Sequence, residues 1–437
     1  MRAATDKQAV ADYAQEVLAG TGWEVTGVHR RGTRLEPPDS YWSVLSVDIN
    51  KEGEERELRL VVRGALNDPA WDSLSARLVR QGAGRPVDPL NDAGFPRLFP
   101  ETRHAYWFYP FDPSMPALAL ANDAVRVAGV LIGETGSDPV ATLAASRNLL
   151  VQRVRYVPEI VGILRYTLDL DGAPARIFGK VQPGGRGLRA LQVVQGLWRA
   201  AAKYPGYLNL PRPLGYVEEM GMMLEEAVKG RAVSSNRTSA EFAMTGNAAA
   251  EAIAVIHESD VTSDLRIDLE REIARLDRVV EQFTYVLPEG HFLLKDLITH
   301  MRERVRRTTD EQVLPTHGDL KYDQFLFHND QYTLLDFDYF AMAETSYDLG
   351  KFCGYLVPSQ PKDWAQSVAA EEVRGTFIRR YRELRPHATM QRFQIYEALC
   401  LGLRAMASMW TQLPGWEHNA ESLLVLAFER LKSRLPE

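Results

Sequence analysis

Two aspartates on either side of a short predicted hairpin are the residues of this sequence best suited to chemistry. Residues 316–340 read THGDLKYDQFLFHNDQYTLLDFDYF, in which QFLF and YTLLDF alternate like short strands and HNDQ is the turn between them. Asp319 precedes the first strand and Asp336 ends the second. The hairpin therefore brings both carboxylates to its open end, where they can bind a hard cation such as Mg²⁺ and orient a hydroxyl group.

The composition is that of an ordinary folded protein. The chain has 437 residues, of which 45% are hydrophobic and 25% charged, so it is long enough for two or three domains. The net charge of -7 argues against binding to nucleic acid or to a membrane surface, which needs a basic face. Two cysteines exclude a disulfide framework. Because no signal peptide or membrane-spanning apolar run is recognisable, we expect a cytoplasmic protein.

The predicted elements follow an α+β order. A helix near residues 7–20 and three strands form a small β-meander, and a second strand set begins at about residue 148. From about residue 186 onward the pattern is largely helical, apart from the hairpin between the two aspartates. This order predicts two lobes preceded by an additional N-terminal domain of helix and meander.

The two meanders resemble each other in sequence. VLSVDINKEG (44–53) and ILRYTLDLDG (163–172) both end at a glycine turn, and each is followed by a strand with two basic residues four positions apart. These basic residues are Arg59 and Arg63 in the first meander, and Arg176 and Lys180 in the second. Two interpretations stay open: a degenerate internal duplication in which only the second copy kept the chemistry, or the alternation that any two hairpins share.

The segment around Asp319 resembles the catalytic loop of the aminoglycoside phosphotransferase and choline kinase superfamily. That pattern is His-Gly-Asp followed five residues on by Asn; here residues 317–320 read HGDL, and Gln324 stands in place of the Asn. Asp336 falls where the family has its metal-binding Asp, and ETSYDLGKF resembles the segment that closes the catalytic domain. The resemblance covers roughly residues 150–430.

This resemblance implies a two-lobed protein-kinase-like fold of the α+β class. Residues 148–228 would form the nucleotide-binding N-lobe, and residues 229–437 would form the helical C-lobe that carries the catalytic loop. Residues 1–147 would be an N-terminal extension, whose meander is a candidate degenerate N-lobe.

The resemblance also implies an ATP- or GTP-dependent kinase that uses Mg²⁺. Asp319 would accept or orient the proton of the acceptor hydroxyl, and we infer that the charge of Lys321 neutralises the transferred phosphoryl group. The implied metal ligands are Gln324, Asp336 and Asp338. His317 and Asp348 are expected to organise the loop through buried hydrogen bonds.

Lys180 is the candidate anchor for the nucleotide phosphates, because it ends a strand ahead of a predicted helix, as the corresponding lysine does in kinase-like folds. Kinases pair this lysine with a Glu on the next helix, but residues 188–204 contain no acid. Gln192, Gln195 or an acid from elsewhere would have to take that place.

Other nucleotide contacts are assigned by position. QRVRYVPEIVGILRY occupies the place of the nucleotide-covering hairpin, where Arg155 is a candidate phosphate ligand, although an exposed strand charge is an equally good interpretation. GMMLEEAVKG fits a strand that leads into a hinge, so the backbones of Glu225 and Ala227 are candidates for binding the adenine edge.

The sequence is therefore compatible with two functions. The first is a kinase acting on a hydroxyl of a small molecule, such as an aminoglycoside or sugar, or on Ser or Thr of a biosynthetic peptide. The second is a pseudokinase that binds a nucleotide or a partner, which the missing helix acid favours and the set of Asp319, Gln324 and Asp336 disfavours. In either case the N-terminal domain is a candidate surface for a protein partner.

Overall fold

The computed structural model describes residues 7–36, 39–82, 96–135, 149–170, 173–329, 331–358 and 364–433. The predicted domain boundary between residues 147 and 148 lies outside the described residues, as does one residue of the predicted hairpin turn, Asp330.

The chain forms two compact units. The first comprises the residues up to Leu188 together with Leu214–Glu225, and the second comprises Arg189–Pro213 and Glu226–Glu437. The predicted extension falls in the first unit. The predicted N-lobe (148–228) is divided between the units, since residues 189–213 and 226–228 belong to the second. The α+β class and the additional N-terminal sheet are confirmed.

The first unit begins with a sheet and its helices. These elements are α1 (Lys7–Val17), β1 (Glu24–Glu36), β2 (Ser40–Lys51), β3 (Glu54–Ala65), α2 (Asp68–Gly82), β4 (Arg97–Phe99), β5 (His104–Phe108), α3 (Leu118–Ala121) and α4 (Ala124–Thr135). Strand β2 shows why this region folds as a sheet, since Tyr41, Leu45, Val47 and Ile49 are buried at alternate positions along much of its length.

A second sheet follows. Its strands are β6 (Leu150–Val157), β7 (Val161–Leu170), β8 (Ala173–Val181), β9 (Pro213–Val217) and β10 (Met222–Glu226). The helix α5 (Arg186–Ala201) connects β8 to β9 and belongs to the second unit from Arg189 onward. The strands pair in the order β6-β7-β8-β10-β9, and those of the first sheet pair in the order β1-β2-β3-β5-β4. In both sheets a helix, α5 or α2, joins the third strand to the fourth. This shared topology favours an internal duplication over a chance likeness of two hairpins.

The register of the hairpins corrects one detail of that comparison. The first paired residues after the hairpin turns are Glu54 and Ala173, and the residue seven positions further on is Val61 in the first sheet and Lys180 in the second. Val61 is fully buried. The predicted match of Arg63 with Lys180 is therefore wrong by two residues, and the first sheet has an apolar side chain at the position of the candidate anchor.

The second unit is mostly helical. Its elements are β11 (Arg231–Ala232), α6 (Ala240–Glu258), α7 (Leu269–Asp277), α8 (Val280–Val286), α9 (Pro288–Arg306), β12 (Val313–Thr316), β13 (Phe325–His328), β14 (Gln331–Leu334), β15 (Ala341–Glu344), α10 (Ser346–Leu356), α11 (Trp364–Leu384), α12 (Phe393–Thr411) and α13 (Trp416–Lys432). The side chains of Ser239 and Asp268 cap α6 and α7 by accepting backbone N–H groups.

A large apolar core joins the C-terminal helices. Leu276, Phe283, Leu297, Met301 and Leu401 are fully buried in it. None of the helices in the described ranges is long and apolar enough to cross a membrane.

One buried ion pair links two of these helices. Glu397 on α12 has no exposed surface and accepts hydrogen bonds from Nε and Nη2 of Arg374 on α11, both at 2.7 Å. Removing one member of such a pair leaves the other charge buried and uncompensated.

We therefore expect Glu397→Ala to lower the free energy of unfolding by about 3–5 kcal/mol. Glu383→Ala is the matched control, because Glu383 pairs with Arg380 at the surface with 63% of its side chain exposed, and such pairs contribute about 1 kcal/mol or less. Urea unfolding of both variants measures the difference. Equal effects would contradict the assignment of the Arg374–Glu397 pair as a buried structural link.

Candidate active site

Two short strand pairs carry the predicted catalytic loop and metal-binding segment. Strand β12 pairs with β15, and β13 pairs with β14 as the hairpin predicted from the sequence. Asp319 follows β12, and Asp336 follows β14. The hairpin is extended by β11, which pairs with β13.

The catalytic loop lies directly against the segment that contains Asp336. Gly318 has φ of 81°, and a β-carbon at this position would lie 1.8 Å from the backbone oxygen of Tyr339. His317 has no exposed surface; its Nε2 lies 3.1 Å from the Leu335 oxygen, and its Nδ1 accepts the N–H of Asp319 at 3.4 Å. A glycine and a buried histidine thus fix the two segments to each other.

Asp348, on α10, fixes the same loop by binding its backbone N–H groups. Its carboxylate accepts the N–H of His317 at 2.7 Å and that of Gly318 at 3.0 Å, and it has no exposed surface. The ring of His257 lies 3.6 Å away and contacts Tyr381 on its other side. Burial raises the pKa of Asp348, but its histidine neighbours and hydrogen bonds outweigh burial and lower it. This is the buried supporting role that the sequence suggested for Asp348 and His317.

Two lysines contact the candidate catalytic carboxylate. Lys321 Nζ lies 2.5 Å from Oδ2 of Asp319, and Lys351 Nζ lies 2.9 Å from Oδ1. Burial lowers the pKa of Lys321, but the attraction of Asp319 and of Tyr355 outweighs it and raises the pKa overall. The pKa of Lys351 is raised in the same way, with Tyr347 and Asp319 outweighing burial.

Sequence analysis missed Lys351. It lies within ETSYDLGKF, a segment compared with the family as a whole, and helix α10 brings it to Asp319. Lys351 lies close to Asp319 only because of tertiary packing, so no local sequence pattern could have identified it.

The candidate metal ligands lie next to this loop in the structure. Asp336 has φ of 72°, a left-handed conformation that costs a non-glycine residue roughly 1–2 kcal/mol. Such backbone strain is concentrated at functional sites. Asp336 and Asp338 are half-buried and flank Phe337, whose ring packs against His317. Gln324 is buried, and its Oε1 accepts the N–H of Lys321 at 2.9 Å, so one of its two acceptor positions is already used.

The candidate phosphate ligands lie in one row across the second sheet. Arg155 pairs with Ile163, and Ile163 pairs with Lys180. Paired residues on neighbouring strands point to the same face of a sheet. The opposite face, which carries Leu164 and Tyr166, packs against α3 and α4. Arg155 and Lys180 therefore share the face that these helices do not cover.

The remaining candidate nucleotide-binding residues lie where the chain passes from the first unit to the second. Glu225 lies near the end of β10. The first unit passes into the second between Glu225 and Glu226, three residues before the boundary predicted after Val228. Ala227 follows in the second unit. Gln192 and Gln195, the candidate partners of Lys180, are exposed on α5.

The order of sheet and helices, with the catalytic loop and the acidic segment on either side of a short hairpin, is that of a protein-kinase-like fold. Residues 170–394 match the model of the phosphotransferase enzyme family known as APH. The chain belongs to this family.

Solved structures of kinases are similar to this chain. A choline kinase of Cryptosporidium parvum Iowa II is 12% identical, with 70% of this chain and 94% of that chain covered and a TM-score of 0.49. A choline/ethanolamine kinase family protein of Mesorhizobium loti is 15% identical, with 65% and 88% covered and a TM-score of 0.45. For a choline kinase of Streptococcus pneumoniae the corresponding values are 15%, 65%, 94% and 0.45. No curated protein sequence matches the chain.

We expect Gly318→Ala to reduce phosphoryl transfer by about 100-fold or more, because the added carbon must push the catalytic loop away from Tyr339. Gly206→Ala is the matched control: Gly206 also has positive φ, at 87°, but nothing lies within 4 Å of its missing β-carbon. Both variants carry the conformational cost, and only Gly318→Ala carries the clash. Similar activities of the two variants, measured with thermal unfolding as a check on folding, would show that the loop tolerates displacement.

Proposed function

We propose that this protein is a kinase that transfers the terminal phosphoryl group of ATP or GTP, with Mg²⁺, to a hydroxyl of a small molecule or of Ser or Thr in a peptide. The observation that carries the proposal is the immobilised Asp319, in a loop fixed by Asp348 and paired with two lysines, in a member of a phosphotransferase family.

The oxygen atoms next to this loop suit a magnesium ion. Asp336 and Asp338 offer carboxylates and Gln324 offers an amide oxygen, which are the hard ligands that Mg²⁺ prefers. The left-handed backbone of Asp336 is a strained conformation of the kind that functional sites retain. When bound, the ion neutralises the charge of the phosphate oxygens. These three residues would hold it.

Asp319 acts on the acceptor. Its carboxylate oxygens each have a second lone pair beyond the lysine contacts, so Asp319 can accept the hydroxyl hydrogen bond. As the acceptor oxygen bonds to the terminal phosphorus, the bond from phosphorus to the bridging oxygen of the nucleoside diphosphate breaks, and the hydroxyl proton passes to Asp319. Because the transition state is loose, position and charge neutralisation contribute most of the acceleration.

The cationic side chains supply that neutralisation. Lys321 is adjacent to Asp319 and can contact the group in transfer, since its ammonium is held within 2.5 Å of Oδ2. Lys180 and Arg155 would bind the phosphates that stay on the nucleotide, because they share one face of the second sheet. The backbones of Glu225 and Ala227 would bind the base edge.

Phosphate transfer from labelled ATP with Mg²⁺, screened across aminoglycosides, sugars and Ser- or Thr-containing peptides, tests the proposal. We expect Asp319→Asn to lower transfer by roughly 100- to 10,000-fold with nucleotide binding retained. Asp323→Asn is the matched control, because Asp323 lies in the same loop but is exposed.

Absence of transfer, together with absence of Mg²⁺-dependent nucleotide binding, would instead favour a pseudokinase. Transfer that survives in Asp319→Asn would remove Asp319 from the mechanism.

A further inference from the structure

Two lysines lie at the carboxylate of Asp319. Lys321 contacts one of its oxygens and Lys351 contacts the other. Lys351 also donates to the Gly318 oxygen at 3.1 Å, so its ammonium is fixed at the loop.

Tyr355 connects this lysine pair to a further cation. The ammonium of Lys321 lies 4.9 Å from the centre of the Tyr355 ring, and the guanidinium of Arg404 lies 5.5 Å from it. Nη1 of Arg404 donates to the Gly354 oxygen at 2.5 Å. Within the described ranges no carboxylate lies at ion-pair distance from Arg404.

The environment of Arg404 disfavours its charge. Burial is the largest cause of a lowered pKa at Arg404, and repulsion by Arg237 acts in the same direction. Arg237 is itself buried, stacks 4.2 Å from the Tyr322 ring centre, and forms no ion pair with a described residue. A cation in such a position gains from an anion that arrives with a ligand.

We infer that the acceptor carries an anionic group, a carboxylate or a phosphate, close to its reactive hydroxyl, and that Arg404 beside Tyr355 binds that group. Lys351, whose ammonium already contacts Asp319, Gly318 and Tyr347, contributes its positive charge. This inference rests on the proposed function. Lys321 remains with the phosphoryl group, while Arg404 is a specificity residue. A polycationic acceptor such as an aminoglycoside would be repelled at this place.

The charge of the acceptor can be varied at nearly constant shape. Glucose, glucuronate and glucosamine form one matched series, and Ser peptides with flanking Glu, Gln or Lys form another, so the two series distinguish a small acid from an acidic peptide. Binding to the protein with Mg²⁺ and a non-hydrolysable ATP analogue is measured by calorimetry, and transfer is measured with ATP.

We expect the anionic member of at least one series to bind about 10- to 100-fold more tightly than its cationic counterpart, and Arg404→Gln to abolish most of this preference. Arg404→Lys should retain most of it. Arg379→Gln is the matched control on an exposed arginine and should leave it unchanged.

Equal or tighter binding of the cationic members, no binding of any anionic member, or an unchanged preference in Arg404→Gln would overturn the inference. Failure of the proposed function is a separate result, namely loss of Mg²⁺-nucleotide binding and of transfer to every compound, because the charge preference is read from binding.

A different observation concerns the turn between β6 and β7. Its central residue, Glu159, has φ of 61° and forms ion pairs with Arg63 of β3 at 3.1 Å and with Arg77 of α2 at 2.5 Å. Its N–H donates to the buried carboxylate of Asp112 at 2.8 Å, which also accepts the Tyr156 hydroxyl at 2.8 Å. The turn is therefore bound by three parts of the N-terminal region: strand β3, helix α2 and the segment after β5 that carries Asp112.

We propose that the N-terminal sheet positions the nucleotide-covering hairpin through Glu159, which makes it a positioning residue for nucleotide binding. This proposal rests on the resemblance of β6–β7 to that hairpin. The hairpin is not glycine-rich, and its turn at residues 158–160 reads Pro-Glu-Ile, so the contacts of Glu159 rather than glycine geometry fix the turn.

Glu159→Gln keeps the size of the side chain and removes the charge that both arginines bind. We expect the KM for ATP to rise about tenfold, while the KM for the acceptor stays within about twofold. Asp68→Asn is the control, because its pair with Arg103 lies on the same sheet domain but is exposed. A general loss of stability would lower the active fraction, and with it the apparent kcat, without changing either KM. An unchanged KM for ATP in Glu159→Gln would overturn the proposal.

Discussion

A carboxylate with no contact to solvent holds the candidate active site together. Asp348 is fully buried and accepts two consecutive backbone N–H groups of the catalytic loop, from His317 and Gly318. Unpaired, each of those N–H groups would carry a desolvation cost of roughly 1–3 kcal/mol. His257 beside Asp348 keeps the negative charge favourable inside the unit. The direction in which Asp319 points is therefore set by a residue that never meets a substrate.

The rest of the site follows from this fixed loop. Because Gly318 has no side chain, the loop lies against Tyr339, and His317 then bridges to Leu335 immediately before Asp336. The candidate base and the candidate metal ligand are positioned by backbone contacts before any nucleotide binds. Preorganisation of this kind reduces the reorganisation that a reaction would otherwise require.

The sequence predicted those parts of the site that are encoded locally. The β13–β14 hairpin was visible because strand alternation and a turn lie within twenty residues, and the HGD pattern was visible because its residues are adjacent. Lys351 and Arg404 were not visible, since helix packing brings Lys351 to Asp319 and Arg404 to Tyr355 from distant positions in the sequence. The register error between the two sheets has another cause: a shift of two residues keeps every side chain on the same face, so alternation alone cannot detect it.

The contacts of the Glu159 turn also affect how the chain folds during its synthesis. Synthesis proceeds from the N-terminus, and the strands that supply Arg63 and the helix that supplies Arg77 leave the ribosome before the turn that they bind. Their pairings are confined to residues 24–108, so the first sheet has all its strands before β6 emerges. The first sheet, which has an apolar residue at the position of the lysine, can thus act as a template onto which the hairpin of the second sheet docks as it appears.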